Sequence, residues 1–408
     1  MSPRRALAVL GLLAVLLAGC DGGDRPDAGP RGGADRQGMD PRGEDARSEP
    51  LRPAWRELSL PAPPGSPGRL VLRAGAFCGD RWYLVGAVAG ALGATRPAAW
   101  SSADGESWAP VPVDARTFYG RQHVLSAVAC VDGRMAALGA KNGGVHGNPR
   151  TGTWVRGAVG ALREVPAAFE LFGGPRAVAV NRLAVGPGGW LIAGARVDGA
   201  AVWTSPDAEG FTLVAGAAEL AGDARGRTAA YDVVARGSGW LVVGALLPAG
   251  GTALTPLAWT SADGRSWRRA VLPVPDGRGQ AERVAVLDGV AVAVGPVRDG
   301  FAAWRADGDA GWRRAGGFGA GGPGVLSVAG LAVPGRWLVA VTGDGAVRGA
   351  WASADGGASW RAVTVPVAVP DGGDTVLTVV AGEDRLLLLA DDGRGSRAWW
   401  GRLPTVDR

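Results

Sequence analysis

The nine residues Trp259–Trp267, WTSADGRSW, recur with variations along this chain of 408 residues. WSSADGESW spans Trp100–Trp108, and WASADGGASW spans Trp351–Trp360. Looser copies are WTSPDAEGF at Trp203–Phe211 and WRADGDAGW at Trp304–Trp312. Each reads as a β-hairpin. A tryptophan-bearing strand runs into a turn built on Asp104, Asp207, Asp263, Asp307 or Asp355, and a second strand opens on an aromatic residue. A turn aspartate closes such a loop with its own carboxylate, and the neighbouring glycine supplies positive φ.

Working outward, the first tryptophan of the hairpin has counterparts at 100, 154, 203, 259, 304, 351 and 399. Their spacings of 54, 49, 56, 45, 47 and 48 residues are those of a propeller built from short strands. About twenty residues before each lies a near-continuous apolar run, such as WYLVGA (82–87), WLIAGA (190–195) or WLVVGA (240–245). These runs read as second strands buried on both faces. A mixed stretch before each, such as YDVVARGSG (231–239), reads as the strand lining a central channel. The seventh repeat ends AWWGRLPTVDR with no outer strand, whereas AWRELSLPAP (54–63) resembles the outer strand SWRRAVLPVP (266–275). The expectation is an all-β, seven-bladed β-propeller of four-stranded antiparallel blades over 54–408, its N-terminal segment closing the last blade.

The first residues read differently. Arg4 and Arg5 precede an apolar run from Ala6 to Ala18, the pattern of an export signal too short to span a bilayer. Leu17-Ala18-Gly19-Cys20 resembles the lipobox of bacterial lipoproteins. That resemblance implies a signal peptide over 1–19, cleavage before Cys20 and a diacylglycerol anchor on its sulfur. Residues 20–53 then read as the lipidated cysteine and a disordered tether, with eight acids against six arginines in 21–53 and almost no bulky apolar side chain. The expected address is the extracytoplasmic face of the cell membrane, with the membrane as one partner through the anchor.

The net charge of +5 includes Arg4 and Arg5 of the leader, and no basic run with interleaved aromatics exists. Nucleic acid is therefore not an expected partner. The two histidines, His123 and His146, fall on different loops with no Cys/His cluster at ligand spacing, so neither a metal nor another cofactor is expected. A monomer is the simplest state.

The Ser-x-Asp-Gly-x-x-Trp hairpins carried by Ser102, Asp104 and Trp108, and by Ser261, Asp263 and Trp267, resemble the Asp-box, or bacterial neuraminidase repeat. Ser353, Asp355, Gly357 and Trp360 match its full-length form. The resemblance covers five of the seven blades, two of them loosely. It implies a sialidase-like superfamily fold with the turns on the face away from the ligand site, and it says almost nothing about activity. Sialidases use an Arg-Ile-Pro motif, an arginine triad and a Tyr–Glu nucleophile pair on six blades. The one isoleucine here is Ile192, followed by Ala193, so that motif is absent. No catalytic residue is assigned.

Two sets of candidate ligand residues remain. Asn181-Arg182, Tyr231-Asp232 and Glu282-Arg283 align on three consecutive inner strands, and strand alternation predicts that one member of each pair faces the channel. Arg182, Tyr231, Asp232, Glu282 and Arg283 are thus channel candidates, and Tyr231 beside Glu282 keeps a sialidase-type hydrolase as the alternative. A basic rim on the loops of blades 1–3 contains Arg121, His123, Lys141, His146 and Arg150. The leading expectation is a membrane-anchored binding or assembly module for a protein or glycan partner. Finally, Cys78 and Cys130 end neighbouring inner strands, and export favours a disulfide between them.

Overall fold

The computed structural model describes residues 49–143, 149–308, 311–322 and 324–405. Seven sheets follow one another along the chain, each strand antiparallel to the next in the blade. Blade 1 takes Arg69–Cys78, Arg81–Ala89, Thr95–Ser102 and Ala109–Val111 from the channel outward. The inner strands of blades 2 to 7 are Val124–Val131, Ala177–Gly186, Gly226–Arg236, Arg283–Leu287, Ser327–Ala332 and Val376–Gly382. Blade 2 gains a parallel edge pairing from Val113–Asp114, and blade 6 an antiparallel one from Val369–Pro370.

The last blade has three strands from the C-terminal end and one from the other end: Arg56 pairs with Trp400 and Glu57 with Trp399. The connection reaches further than the boundary at Ala54. Leu51 is buried and forms a parallel bridge with Val363 on the outer strand of blade 6. Its N–H donates to the Ala362 carbonyl, and its carbonyl accepts from Thr364 N–H, both at 2.8 Å. Leu58 N–H donates to the Ala398 carbonyl in blade 7, and the Pro61 carbonyl accepts from the Trp100 indole in blade 1. One strap therefore joins blades 6, 7 and 1. Residues 50–53, part of the expected tether, belong to the ordered fold. Cys20 and the signal segment lie outside the described residues.

The core is a series of layers between blades. In one, Trp82, Leu84, Trp100 and Trp108 of blade 1 meet Leu387 and Leu389 of blade 7. Each buried tryptophan removes roughly 150–250 Å² from water, about 4–6 kcal/mol gross before entropy. A buried indole N–H also needs an acceptor. Trp203, Trp259 and Trp304 each donate to a carbonyl of the preceding inter-blade connection: Leu171 at 2.7 Å, Glu219 at 2.7 Å and Pro273 at 2.8 Å. These bonds fix where each blade's exit loop crosses the next.

The hairpins hold themselves. Ser102 Oγ donates to Asp104 Oδ1 at 2.8 Å while accepting from Gly105 N–H, and the same oxygen of Asp104 takes the N–H groups of Glu106 and Ser107. Asp263 and Asp355 repeat the arrangement, and Asp207 repeats it with Ser205, Glu209 and Gly210. Gly105, Gly264 and Gly356 sit at φ near +70°, +75° at most. At Asp307 the described contact is a backbone one, its N–H to the Gly311 carbonyl. Its hairpin has Ala306 where the others have serine.

Candidate functional site

The inner strands are not regular. Register shifts fall at one position of five blades, opposite Arg73, Ser126, Asn181, Tyr231 and Ala329. In blade 5, Glu282 and Arg283 both oppose Val294, so a bulge sits there too. In four of these six blades the second strand shows a cause. Gly86, Gly194, Gly244 and Gly295 lie where any Cβ would fall on a carbonyl oxygen, that of Val71, Ala179 or Ala229 on the inner strand or of Gln280 just before it. Glycine lets the two backbones approach, and the inner strand spends the extra residue as a bulge.

The bulge overturns the expectation that one residue of each pair faces inward. Two residues oppose one, and both turn toward the axis. Asn181 with Arg182, and Glu282 with Arg283, line the same channel-mouth cavity of about 520 Å³, together with Tyr231. Asp232 lines a deeper cavity of about 210 Å³, and Arg182 and Arg283 border both. The mouth lies toward the first residues of the inner strands, Ser327 and Val376 among them, on the side of the inter-blade loops. A wider groove of about 770 Å³ lies on the hairpin face of blade 4, between Arg236, Trp240 and Arg268.

The channel carboxylates are occupied by the backbone. Asp232 accepts from Val233 N–H at 2.9 Å and from Val284 N–H of the next blade at 3.1 Å. Glu282 accepts from Val328 N–H of the next blade at 2.5 Å and from the Gln280 amide at 2.6 Å. Asn181 donates to the Ala230 carbonyl at 2.7 Å. These side chains stitch blades 3 to 4, 4 to 5 and 5 to 6. Burial pushes both carboxyls above their usual range, against the pull of Arg283 and, for Asp232, of Arg182. Burial, helped by Glu282, also pushes the Tyr231 phenol up to about 12.

Four arginines border the mouth. Arg73 pairs with Asp391 at 2.7 Å, and Arg348 with Asp371 at 2.9 Å. Burial pushes Asp391 up, but the Arg73 guanidinium, the Gly393 N–H and the Ser396 hydroxyl hold it below the usual carboxylate range. Arg182 and Arg283 instead share a neutral acceptor, the Ala329 carbonyl, at 2.8 and 3.1 Å. The Arg283 charge, then burial, lowers Arg182 to about 10. Arg348 escaped the sequence reading because it opens a third strand, outside the aligned inner-strand position.

The basic rim does not converge. His123 is 2% exposed, and its Nδ1 accepts from the Trp154 indole at 3.2 Å, the place that backbone carbonyls take in blades 3 to 5. Burial lowers its pKa, with Glu164 pulling the other way. Buried Glu164 pins the loop before it, taking Arg116 N–H at 2.6 Å and the Thr117 N–H and hydroxyl at 2.8 and 2.6 Å. His123 is thus a core residue in place of a rim ligand. The Arg150 guanidinium lies over Phe169 at 4.1 Å and Tyr119 at 5.4 Å, while Lys141 pairs with it across the sheet. Arg121 is exposed, and among the described residues its guanidinium reaches the Arg116 carbonyl. His146 lies outside the described residues.

Cys78 and Cys130 are bonded to each other with Cα atoms 5.8 Å apart, joining the inner strands of blades 1 and 2.

No protein-family model and no curated protein matches the chain. Solved structures do. YCF48 bound to D1 peptide is 13% identical, covers 86% of this chain and 97% of its own, and has a TM-score of 0.50. The β-propeller domain of the Trilobed protease from Pyrococcus furiosus is 9% identical over 81% of this chain and 93% of its own, with a TM-score of 0.46. An α-L-arabinofuranosidase from Fusarium graminearum in complex with an iminosugar inhibitor is 13% identical over 72% and 97%, also at 0.46. The likeness is one of fold.

Proposed function

We infer that this propeller is a binding or assembly module that recognises a protein or glycan partner at its channel mouth, held on the extracytoplasmic face of a membrane by a lipid on Cys20. The observation that supports binding over hydrolysis is the state of the mouth's acids. A retaining glycosidase needs a free carboxylate pair about 5–5.5 Å apart, or a tyrosine made nucleophilic by a neighbouring base. Here both oxygens of Asp232 and of Glu282 already accept hydrogen bonds, and one oxygen of each is bonded to the next blade. Tyr231 is pushed away from ionisation, the wrong direction for a nucleophile. What faces the cavity is a set of donors suited to recognition. The similar propeller YCF48 is a structure bound to a peptide. The hairpin turns support the Asp-box reading, since their carboxylates serve the turns themselves. The Cys78–Cys130 bond supports an oxidising compartment.

Two assays on the full chain test this. A panel of fluorogenic glycosides should give no turnover; activity that disappears in Tyr231→Phe would establish the hydrolase instead. Partner capture from membranes and on a glycan array should be lost when the mouth arginines Arg182 and Arg283 are replaced and kept when Arg268 on the opposite face is replaced.

A further inference from the structure

Arg182 and Arg283 are two cationic side chains of the channel with no acid in direct contact among the described residues. They come from blades 3 and 5, two bulges that the ring brings to one level of the channel. Among the described residues neither makes an ion pair within 4 Å, although Arg73 and Arg348 around the same mouth both do. Their partners are carbonyls: Ala329 for both, and Glu282's own backbone oxygen for Arg283 at 2.5 Å. A guanidinium carries five N–H donors, so most of the ten on this pair have no protein acceptor. The nearby acids, Asp232 and Glu282, feel the Arg283 charge but turn their oxygens to other donors: the Val233 and Val284 N–H groups for Asp232, the Val328 N–H and the Gln280 amide for Glu282. The two like charges repel each other, and the Arg283 charge is the largest influence on Arg182. An anion between them would reverse that term and fill the free donors with charge-assisted hydrogen bonds.

We propose that Arg182 and Arg283 form an oxyanion-binding site at the waist of the channel, which takes the carboxylate, phosphate or sulfate group of a small ligand whose body fills the mouth. Position and volume fit. The pair borders both the 520 Å³ mouth and the 210 Å³ cavity beneath it, so an anion there sits at the floor of the mouth. A mouth of that size lies within the range of small-molecule sites, roughly 300–1,000 Å³. Tyr231, Ser126 and Ser327 on its wall offer hydroxyls for the neutral part of the ligand. The inference rests on the reading of the mouth as a binding site and adds the chemistry of what enters it.

The test uses the full chain at constant ionic strength, with chloride exchanged for inorganic phosphate, sulfate or acetate. At least one oxyanion should raise Tm progressively with concentration, as a ligand of the folded state does. Phosphate or sulfate alone would identify a tetrahedral head group, and acetate alone a carboxylate. Arg182→Met and Arg283→Met should each weaken the best anion about tenfold or more in calorimetric titration, through loss of one charged fork. Either single variant keeps one donor on the Ala329 carbonyl, so both should fold. Arg268→Gln, on the hairpin face, should leave the response intact. No rise with any oxyanion, or a rise that survives in both methionine variants, overturns the site. If partner capture is lost in those variants while no oxyanion acts on the wild type, the mouth is a docking site for other chemistry and the oxyanion is rejected. If the oxyanion acts and partner capture survives both variants, the site stands and partner binding at the mouth falls.

Discussion

At the scale of single residues, His123 shows how a blade solves one recurrent problem with different atoms. Four blades meet the buried indole N–H of the third strand with a backbone carbonyl, and blade 2 meets it with an imidazole nitrogen. Accepting at Nδ1 leaves the imidazole neutral with its proton on Nε2. The consequence is a pH dependence of known sign. Burial lowers the folded pKa, so below about 6.5 the unfolded chain takes up a proton that the folded chain refuses. This contribution to stability is present at neutral pH and declines as pH falls through the ordinary histidine range. Asp232 and Glu282 have raised folded values and work in the opposite sense. The readout is therefore the difference in Tm between wild type and His123→Asn across pH 7.5 to 5. The wild type should lose more on acidification, and parallel profiles would refute the assignment. His123→Ala should cost about 1–3 kcal/mol at neutral pH by orphaning the Trp154 N–H. The sequence placed His123 on a loop correctly. It could not show that the side chain turns inward, because that depends on a tryptophan 31 residues later.

At the scale of elements, strand identity and order were readable and local irregularity was not. Continuous apolar runs must be second strands, because only two neighbouring blades can cover both faces. The seven tryptophans counted the blades. The glycines inside VGA and AGA looked like small residues in a buried run, yet they mark the inner-strand bulges, and the bulges build the candidate site. A channel lined by Asn181 and Arg182 together cannot be inferred from an alternation rule that the bulge breaks. The strap is the other element whose extent exceeded its signal, since Leu51 stands in a stretch of charged and turn-forming residues. Two truncations separate its parts. Removing residues up to Pro53 exposes the contact surface of Leu51 and should cost about 1.5–3 kcal/mol. Removing residues up to Pro63 also strips the fourth strand from blade 7 and the acceptor from Trp100. That variant should melt far lower and aggregate through the bared sheet edge. Equal melting temperatures would refute closure as a source of stability.

For the whole molecule, the proposed anchor and the ring are separable, and this is checkable. Cys20→Ser should move the protein from the membrane to the soluble fraction while thermal unfolding of the ring stays unchanged. Continued retention on membranes would refute lipidation at Cys20 as the sole attachment. The proposed address rests on the leader and the lipobox resemblance alone, whereas the candidate site could not be assembled from the sequence, since the mouth draws on residues scattered from Arg73 to Thr378. The strap has one more consequence, and it concerns time. Trp55 donates to the Thr364 carbonyl across 309 residues of chain, and the edge of blade 7 is covered by residues made before blade 1. Hairpins such as 100–108 can form as soon as they exist, but the circle cannot shut until its final strand has been synthesised. Until then the earliest segment has nothing to bind and the last sheet has an open side. Folding should therefore end in a slow step of high contact order, and any agent that captures residues 51–58 during synthesis would leave the ring ajar.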